Sequence, residues 1–255
     1  MHTFVIAEAG SIWRFGSAPS VQMLDAVSIA KECGADAIKF QWVSDPRKME
    51  QRRNVPRGSY DILAWPIMWL PHVAEAANEL NIELMCTVFL PEDVKVMDPY
   101  VKQWKVASLE NQDEELLEAM QRTDKEIIAS HGATDSTKLN RRMESKSLHC
   151  TASYPATLDS LNLLAIETEG FDGYSDHSCN VLTGAIAVVC GAKILEVHFK
   201  FSNTPKDNPD FNHSLYPWQL TEYISNIRQT ELMLGDGVKK IMPCEEWALK
   251  HKVKS

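Results

Sequence analysis

Two strand-like stretches near the end of the chain carry residues whose types and spacing suit chemistry. In Lys193-Ile-Leu-Glu-Val-His-Phe-Lys200 the period-two alternation places Leu195, Val197 and Phe199 on one face and Ile194, Glu196 and His198 on the other. At roughly 3.3 Å per residue, Glu196 and His198 are about 6–7 Å apart, near enough to converge on one small ligand or ion. One helix earlier, Gly173-Tyr-Ser-Asp-His-Ser178 sets Ser175 and His177 on a common face. A carboxylate and imidazoles at the ends of apolar strands are costly to bury without partners. A satisfied core histidine beside a strand-end ion pair would explain either stretch alone; two such stretches together point to a site.

The elements that must position these residues follow from the pattern of the chain. Short β-rich runs near 3–8, 36–41, 82–88, 103–108, 126–130, 147–152, 172–176 and 193–199 alternate with amphipathic helical stretches, the signature of a parallel α/β sheet. Eight such beats in 255 residues, 44% apolar and 24% charged, match a (β/α)8 TIM barrel of one domain, 1–255. Ser20 is expected to cap a helix ending at Cys33-Gly34, and a further helix runs from Leu70 to Leu80. Asp113 and Asn180 open two more, the second ending at Cys190-Gly191. Pro217 starts a last helix with Leu220, Ile224, Ile227 and Leu234 on its apolar face and Gly235 closing it. The stretch 43–66, with Pro46, Pro56, Gly58 and Pro66, reads as one long irregular loop after the second strand.

Active sites of this barrel lie at the C-terminal strand ends. The inward face there ends at Glu8, at Lys39 and Gln41, at Thr87, at Lys105 with Ser108 just beyond, at Ser130, at Thr151 and Ser153, at His177 and at His198. A barrel without a site has no reason to end every strand in a polar group that must then find a partner. Lys39 and Lys105, two strands apart, suit a small dianion, with Thr87, Ser108 and Ser175 as hydroxyl donors. His177 and His198 suit a divalent metal with open positions for water and substrate. Glu8 and Glu196 are candidate bases. Together these suggest carbonyl chemistry on a phosphorylated substrate.

The net charge of −9 argues against a nucleic-acid footprint, and no apolar run is long enough to span a membrane. The N-terminus lacks the basic start of a signal peptide and reads as a first strand. Six cysteines without C-x-x-C spacing read as reduced, mostly buried thiols, which places the chain in the cytoplasm. His2, His72 and His251 read as surface or helix residues, and His149 points to the helix side of its strand. His131 and His213 stay open between substrate contact and solvated loop. The seven tryptophans read as packing residues.

These residues carry a resemblance. Ile6-Ala-Glu8-Ala-Gly10, Gly34-Ala-Asp-Ala-Ile-Lys-Phe-Gln41, Lys105-Val-Ala-Ser-Leu-Glu110-Asn111, Leu148-His-Cys-Thr-Ala-Ser-Tyr-Pro155, Gly173-Tyr-Ser-Asp-His177, Glu196-Val-His-Phe199 and Pro209-Asp-Phe-Asn-His-Ser-Leu215 resemble, in order, the sialic acid synthase (NeuB-type N-acetylneuraminate synthase) family. That resemblance implies condensation of phosphoenolpyruvate with N-acetylmannosamine or a related N-acyl amino sugar, with release of phosphate. It implies that Lys39, Thr87, Lys105, Ser108, Ser153 and Ser175 bind phosphoenolpyruvate and that His177 and His198 hold Mn2+ or Mg2+. Gln41, Glu110, Tyr154 and Asp210 would face the sugar or the waters of the metal, and Glu8, Glu196 and Asp210 are the expected catalytic carboxylates. A homodimer is expected as well.

The departures fall on the acceptor side. Ser11-Ile-Trp-Arg-Phe-Gly16 replaces the polar first loop of the family, Ser130-His-Gly-Ala133 replaces Ser-Thr-Gly-Met, Ser153 stands for the usual Asn, and Phe211 for the His after Pro-Asp. The resemblance covers the barrel alone, without the antifreeze-like (SAF) domain that in the family reaches across a dimer with an arginine for the sugar. The stretch 43–66 is therefore expected to fold over the mouth and bring Arg47, Arg52, Arg53 or Arg57 toward the substrate. Another metal-assisted aldolase or isomerase, or a non-catalytic sugar- or phosphate-binding descendant, are the competing readings. Phosphate release from phosphoenolpyruvate separates them.

Overall fold

The computed structural model describes residues 2–14, 19–137, 139 and 141–253. Eight strands form one parallel sheet: β1 (Phe4–Glu8), β2 (Ala37–Trp42), β3 (Glu83–Val88), β4 (Trp104–Val106), β5 (Ile127–His131), β6 (Lys146–Cys150), β7 (Gly173–Asp176) and β8 (Ile194–His198). Their hydrogen-bonded order is β3-β2-β1-β8-β7-β6-β5-β4, so the sheet curls until only β3 and β4 lack a backbone ladder. Side chains close that seam: Thr87 Oγ1 donates to the Lys105 carbonyl at 3.0 Å and Gln103 Nε2 to Glu83 Oε1 at 2.7 Å. The expected (β/α)8 barrel is thus present, each strand within two residues of its predicted span at either end.

The flanking helices are α1 (Pro19–Glu32), α2 (Pro46–Arg53), α3 (Leu70–Glu79), α4 (Pro91–Met97), α5 (Glu114–Gln121), α6 (Ala165–Thr168), α7 (Thr183–Val189), α8 (Pro217–Leu234) and α9 (Glu246–His251). Proline in the first turn of α2, α3, α4 and α8 presets the helical φ where no amide donor is needed. Asp113 caps α5 as expected, accepting from the Leu116 amide. Several details differ. Pro19 and not Ser20 begins α1. Asn180 binds the Leu182 amide in a turn, and the helix proper starts at Thr183. The packed face of α8 holds Leu220, Tyr223, Ile224 and Ile227 but ends at Thr230; Leu234 is exposed because the last turn runs past the barrel. The connection from β5 to β6 carries no helix among its described residues. Phe15 and Gly16 of the first loop lie outside the described residues.

The largest correction is 43–66, which is not an irregular loop. Asp45 accepts from the amides of Arg47 and Lys48, Pro46 takes the first helical position, and Asn54 ends α2 at φ 52°. The buried Glu50 carboxylate then gathers the rest, accepting from Gly58 N at 2.7 Å and from Arg47 at 2.6 Å. The cap, the proline and the left-handed Asn were readable as helix signals; the density of prolines around them masked the eight-residue helix.

Inside the barrel, side chains stack in layers. Ile6, Ala37, Met85, Ile128 and Leu148 form an apolar floor, with Phe4 and Ile194 packed against it. One residue pair further along each strand, Glu8, Lys39, Thr87, Lys105, Ser130, Cys150, Ser175 and Glu196 form a second, polar layer, all buried. The sixth strand corrects the expected register, since Leu148 and Cys150 face inward and the Thr151 hydroxyl turns away to the Ser160 carbonyl.

Gly173 is a position where only glycine fits the floor. A Cβ there would overlap the Ile194 carbonyl oxygen and crowd Leu148 Cδ2 at 2.8 Å. Gly173→Ala is expected to lower stability by about 3 kcal/mol, the cost of overpacking a closed interior. Urea unfolding of purified variant and wild type measures it, and an unchanged midpoint would show that the β7 and β8 strands are not held this tightly.

Candidate functional site

The polar layer is a chain of alternating charges. Lys39 Nζ contacts Glu8 Oε2, lies 3.1 Å from Glu196 Oε1 and donates to Thr87 Oγ1 at 3.0 Å. Lys105 Nζ lies 3.1 Å from Glu196 Oε2 and donates to Ser130 Oγ at 2.7 Å and to the Val106 carbonyl at 3.0 Å. Each ammonium thus has three polar partners. Glu196 therefore bridges the two lysines, and Ser175 Oγ donates to its Oε2 at 2.7 Å. The expected open cradle is corrected on this point: the lysines are together as anticipated, but an internal carboxylate occupies their shared face.

The field of this chain sets the protonation states. Burial pulls the Lys39 pKa down, yet Glu8 and Glu196 outweigh burial and hold it above the ordinary lysine value. Burial dominates for Lys105, which sits below it despite Glu196. Burial likewise raises Glu8 against the pull of Lys39. For Glu196 burial acts upward, but Lys105 and Lys39 together hold the group well below the usual carboxylate range. Glu8 is fixed further by the Gly10 amide at 2.7 Å and Gln41 Nε2 at 3.0 Å.

Above this layer opens a cavity of about 350 Å³ lined by Lys39, Gln41, Lys105, Ser108, Glu110, Tyr154, Ser175, His177, Glu196, His198, Asp210 and others. Its size suits a ligand of modest dimensions. The structure brings most of the sequence-predicted residues together here. Glu8 lies beneath the cavity behind Lys39, and Thr87 spends its hydroxyl proton on the β4 carbonyl, so it orders Lys39 and is not a free donor. Ser153 is not at the cavity; it is exposed, with Oγ donating to the Pro155 carbonyl at 3.0 Å inside its own turn.

The histidines border the same cavity, two residues beyond Ser175 and Glu196. The His177 and His198 ring centroids are 5.5 Å apart, within reach of one shared ion. His177 Nδ1 faces the Thr151 carbonyl at 3.0 Å, and since a carbonyl only accepts, Nδ1 carries the proton and Nε2 is left with its lone pair. Burial lowers the pKa of both rings, most strongly for His198, where nearby His213 adds to the effect. Neutral imidazoles are the ligand form. His198 Nδ1 is buried without a hydrogen-bond partner among the described residues, an arrangement a metal ion would satisfy. Tyr154 covers the group, its ring 4.3 Å from that of His177 and 5.0 Å from that of His213.

The two loop histidines resolve differently. His131 is buried behind β5, its Nε2 2.8 Å from Glu144 and its other nitrogen beside Asn111, so it is neither a solvated loop residue nor a cavity residue. His213 lines the cavity. The segment 43–66 forms part of the mouth as expected, through Tyr60 and Leu63, with Tyr60 packed edge-on to Phe89 at 5.6 Å. Among its arginines, Arg53 reaches Glu110 on the cavity wall, whereas Arg47 pairs with Glu50 and Asp61 and Arg52 with Asp113 and Glu115. Arg57 is exposed on the outer side. Sequence reasoning missed Cys150, Tyr60, Leu63, Phe89 and Leu109 as lining residues. For Cys150 the alternation of β6 was the available signal; the others come from connections whose path no periodicity encodes.

Comparison with known proteins bears on the whole arrangement. The model of the NeuB family matches residues 26–239. N,N'-diacetyllegionaminic acid synthase of Legionella pneumophila is 32% identical over 94% of this chain and 75% of its own length. Pseudaminic acid synthase of Campylobacter jejuni is 29% identical over 98% and 79%. The crystal structure of N-acetylneuraminic acid synthetase from Leptospira borgpetersenii in complex with citrate has a TM-score of 0.83 at 24% identity, covering 98% of this chain and 91% of that one, and so shares the fold. The barrel, the order of its polar strand ends and a family match running through seven of its eight strands lead to one assignment: the chain belongs to the NeuB family, the sialic acid synthases.

Proposed function

We propose that this enzyme condenses phosphoenolpyruvate with the open-chain aldehyde of an N-acyl amino sugar, giving a sialic-acid-like nonulosonic acid and inorganic phosphate. The observation that carries the reading is the Lys39–Glu196–Lys105 bridge at the cavity floor. Two buried ammonium groups held by one movable carboxylate are a site in which an incoming anion can exchange for an internal one. The family relationship and the names of the relatives support the substrate class.

In this reading the phosphate and carboxylate of phosphoenolpyruvate take over the lysine protons now given to Glu196, with Ser108 and Ser175 as further donors. C3 of phosphoenolpyruvate forms a bond to the aldehyde carbon. Water adds at C2, and the bond from C2 to the bridging oxygen breaks, so phosphate leaves with that oxygen. Glu196, displaced from the lysines, is the carboxylate placed to take a proton from the water. Gln41, Glu110 with Arg53, and Tyr154 line the side on which the sugar is held. A divalent ion held by His177 and His198 would polarise the aldehyde oxygen.

Charge balance makes a specific demand. Lys39 and Lys105 stand against Glu8, Glu196 and Asp210, two cationic groups against three carboxylates, so a trianionic substrate enters a site with no net positive charge of its own. A divalent ion supplies the missing charge, and ion and phosphoenolpyruvate should promote each other's binding.

The direct test is phosphate release from phosphoenolpyruvate across a panel of N-acyl amino sugars with Mn2+ present. One phosphate per sugar consumed, abolished by chelation and restored by the ion, is expected; no release with any acceptor would sink the reading. A second test addresses the exchange. Glu196→Gln keeps the size of the side chain but removes the competing charge. It should tighten phosphoenolpyruvate binding about tenfold while turnover falls at least 100-fold. Weakened phosphoenolpyruvate binding in this variant would show that the carboxylate does not compete for the lysines.

A further inference from the structure

His213 stands in the loop between β8 and α8, in the turn Phe211–His213, and is 3% exposed. Its ring is edge-on to that of His198 with centroids 4.6 Å apart, and its Nε2 lies 3.2 Å from Asp210 Oδ1. That separation lacks hydrogen-bond geometry, so both ring nitrogens of His213 and Nδ1 of His198 are buried without a hydrogen-bond partner among the described residues. Nδ1 of both rings is without a hydrogen-bond partner among the described residues and His213 Nε2 faces only the Asp210 carboxylate, a costly arrangement for an apolar or purely structural role. One ligand atom each from His198, Asp210 and His213 lies within 4.8 Å of the others. Two ligands across a shell of about 2.1 Å radius are about 4.2 Å apart, so small side-chain rotations close the set on an ion.

The surroundings hold this set in place. Asp210 Oδ2 accepts from the Ser11 amide at 2.6 Å and the Ser11 hydroxyl at 2.5 Å, which turns Oδ1 toward His213. A Cβ at Gly10 would overlap Asp210 Oδ2, so the backbone of the first loop leaves room for that carboxylate. Lys200 Nζ donates to the Phe211 carbonyl at 2.6 Å and sits 4.1 Å over the Phe211 ring, pinning the turn that carries His213. Such outer contacts orient ligands at metal centres.

We propose that His213 is a metal ligand in this chain, closing a centre with His198 and Asp210 that takes borderline first-row ions, zinc(II), cobalt(II) or iron(II), in preference to magnesium. The inference rests on the reading that a divalent ion serves the condensation, and it goes beyond the His177 and His198 pair. Two imidazoles with one carboxylate leave further positions open, and imidazole-rich sets favour these ions over magnesium, which prefers oxygen and water. His177, with Nε2 free, borders the same corner, its ring 6.3 Å from that of His213.

The test is metal binding to metal-free protein by titration calorimetry and by the visible absorption of cobalt(II), with wild type, His213→Gln and His213→Asn. Thermal melts without metal establish that each protein is folded. Wild type should bind one zinc or cobalt ion at least 100-fold more tightly than magnesium. The variants should lose at least tenfold in zinc and cobalt affinity, change the cobalt spectrum and leave magnesium binding nearly unaltered. Variants with wild-type affinity and an identical cobalt spectrum overturn the assignment of His213 while leaving the pair of His177 and His198 standing. A wild type that binds none of these ions overturns both, and phosphate release from phosphoenolpyruvate, measured separately, then shows whether the condensation itself survives.

Discussion

The rest of the site depends on the burial of four charges in one row, Glu8, Lys39, Glu196 and Lys105. An isolated ion in a protein interior is prohibitive, and even a pair returns its desolvation cost only when every remaining proton and lone pair is used. Here each ammonium makes three or more polar contacts, and Glu196 pairs with both lysines and accepts from Ser175. The row spans β1, β2, β8 and β4, so it also ties together strands on both sides of the barrel, including the seam where β3 and β4 lack a ladder. Removing any single member would strand a buried charge. That constraint explains why Thr87 is spent on ordering Lys39 and closing the seam.

A second constraint governs the histidine wall. The rings of His177 and His198 lie close together in a buried setting, where charging both would set like charges against each other. Burial lowers the pKa of His177 and His198 accordingly. The imidazoles stand directly beyond the charged layer along the same strands, His177 beyond Ser175 and His198 beyond Glu196, so charged groups and ring lone pairs border one cavity.

Much of this was legible in the sequence because β-strand alternation is a strict period of two. Once Glu196 and His198 were placed on one face, the inward set Glu8, Lys39, Thr87, Lys105, Ser130 and Ser175 followed strand by strand, and the structure keeps all of them in one layer. The failures have identifiable causes. In β6 a slip of one residue exchanged Cys150 for Thr151, since two polar neighbours flank an apolar-looking cysteine and either phase fits. Ser153 was carried along with that slip and with the neighbouring Tyr154. In 43–66 local capping at Asp45 and Asn54 outweighed the proline-rich composition. His213 could not be assigned because a loop has no period; its direction is set by Lys200 and Asp210, contacts between residues that sequence spacing does not relate.

The floor and the upper wall of the cavity are built from different parts of the chain. The charged floor is built from strand residues whose positions are fixed by the ladder register, Glu8 opposite Lys39 on one side and His198 on the other. The upper wall is built from connections: Tyr60 and Leu63 after β2, Phe89 after β3, Leu109 and Glu110 after β4, Tyr154 after β6. A change in the floor must preserve a closed charge row, whereas a change in the wall need only preserve a surface and its few ion pairs, such as Arg53 with Glu110. The departures of this chain from the family pattern fall after β1, at and after the end of β5, after β6 and after β8, and spare the charged floor. The upper wall is therefore carried by loops on a rigid scaffold, with the 43–66 segment, ordered by its own helix and by Glu50, as a part of that wall set apart from the charged floor.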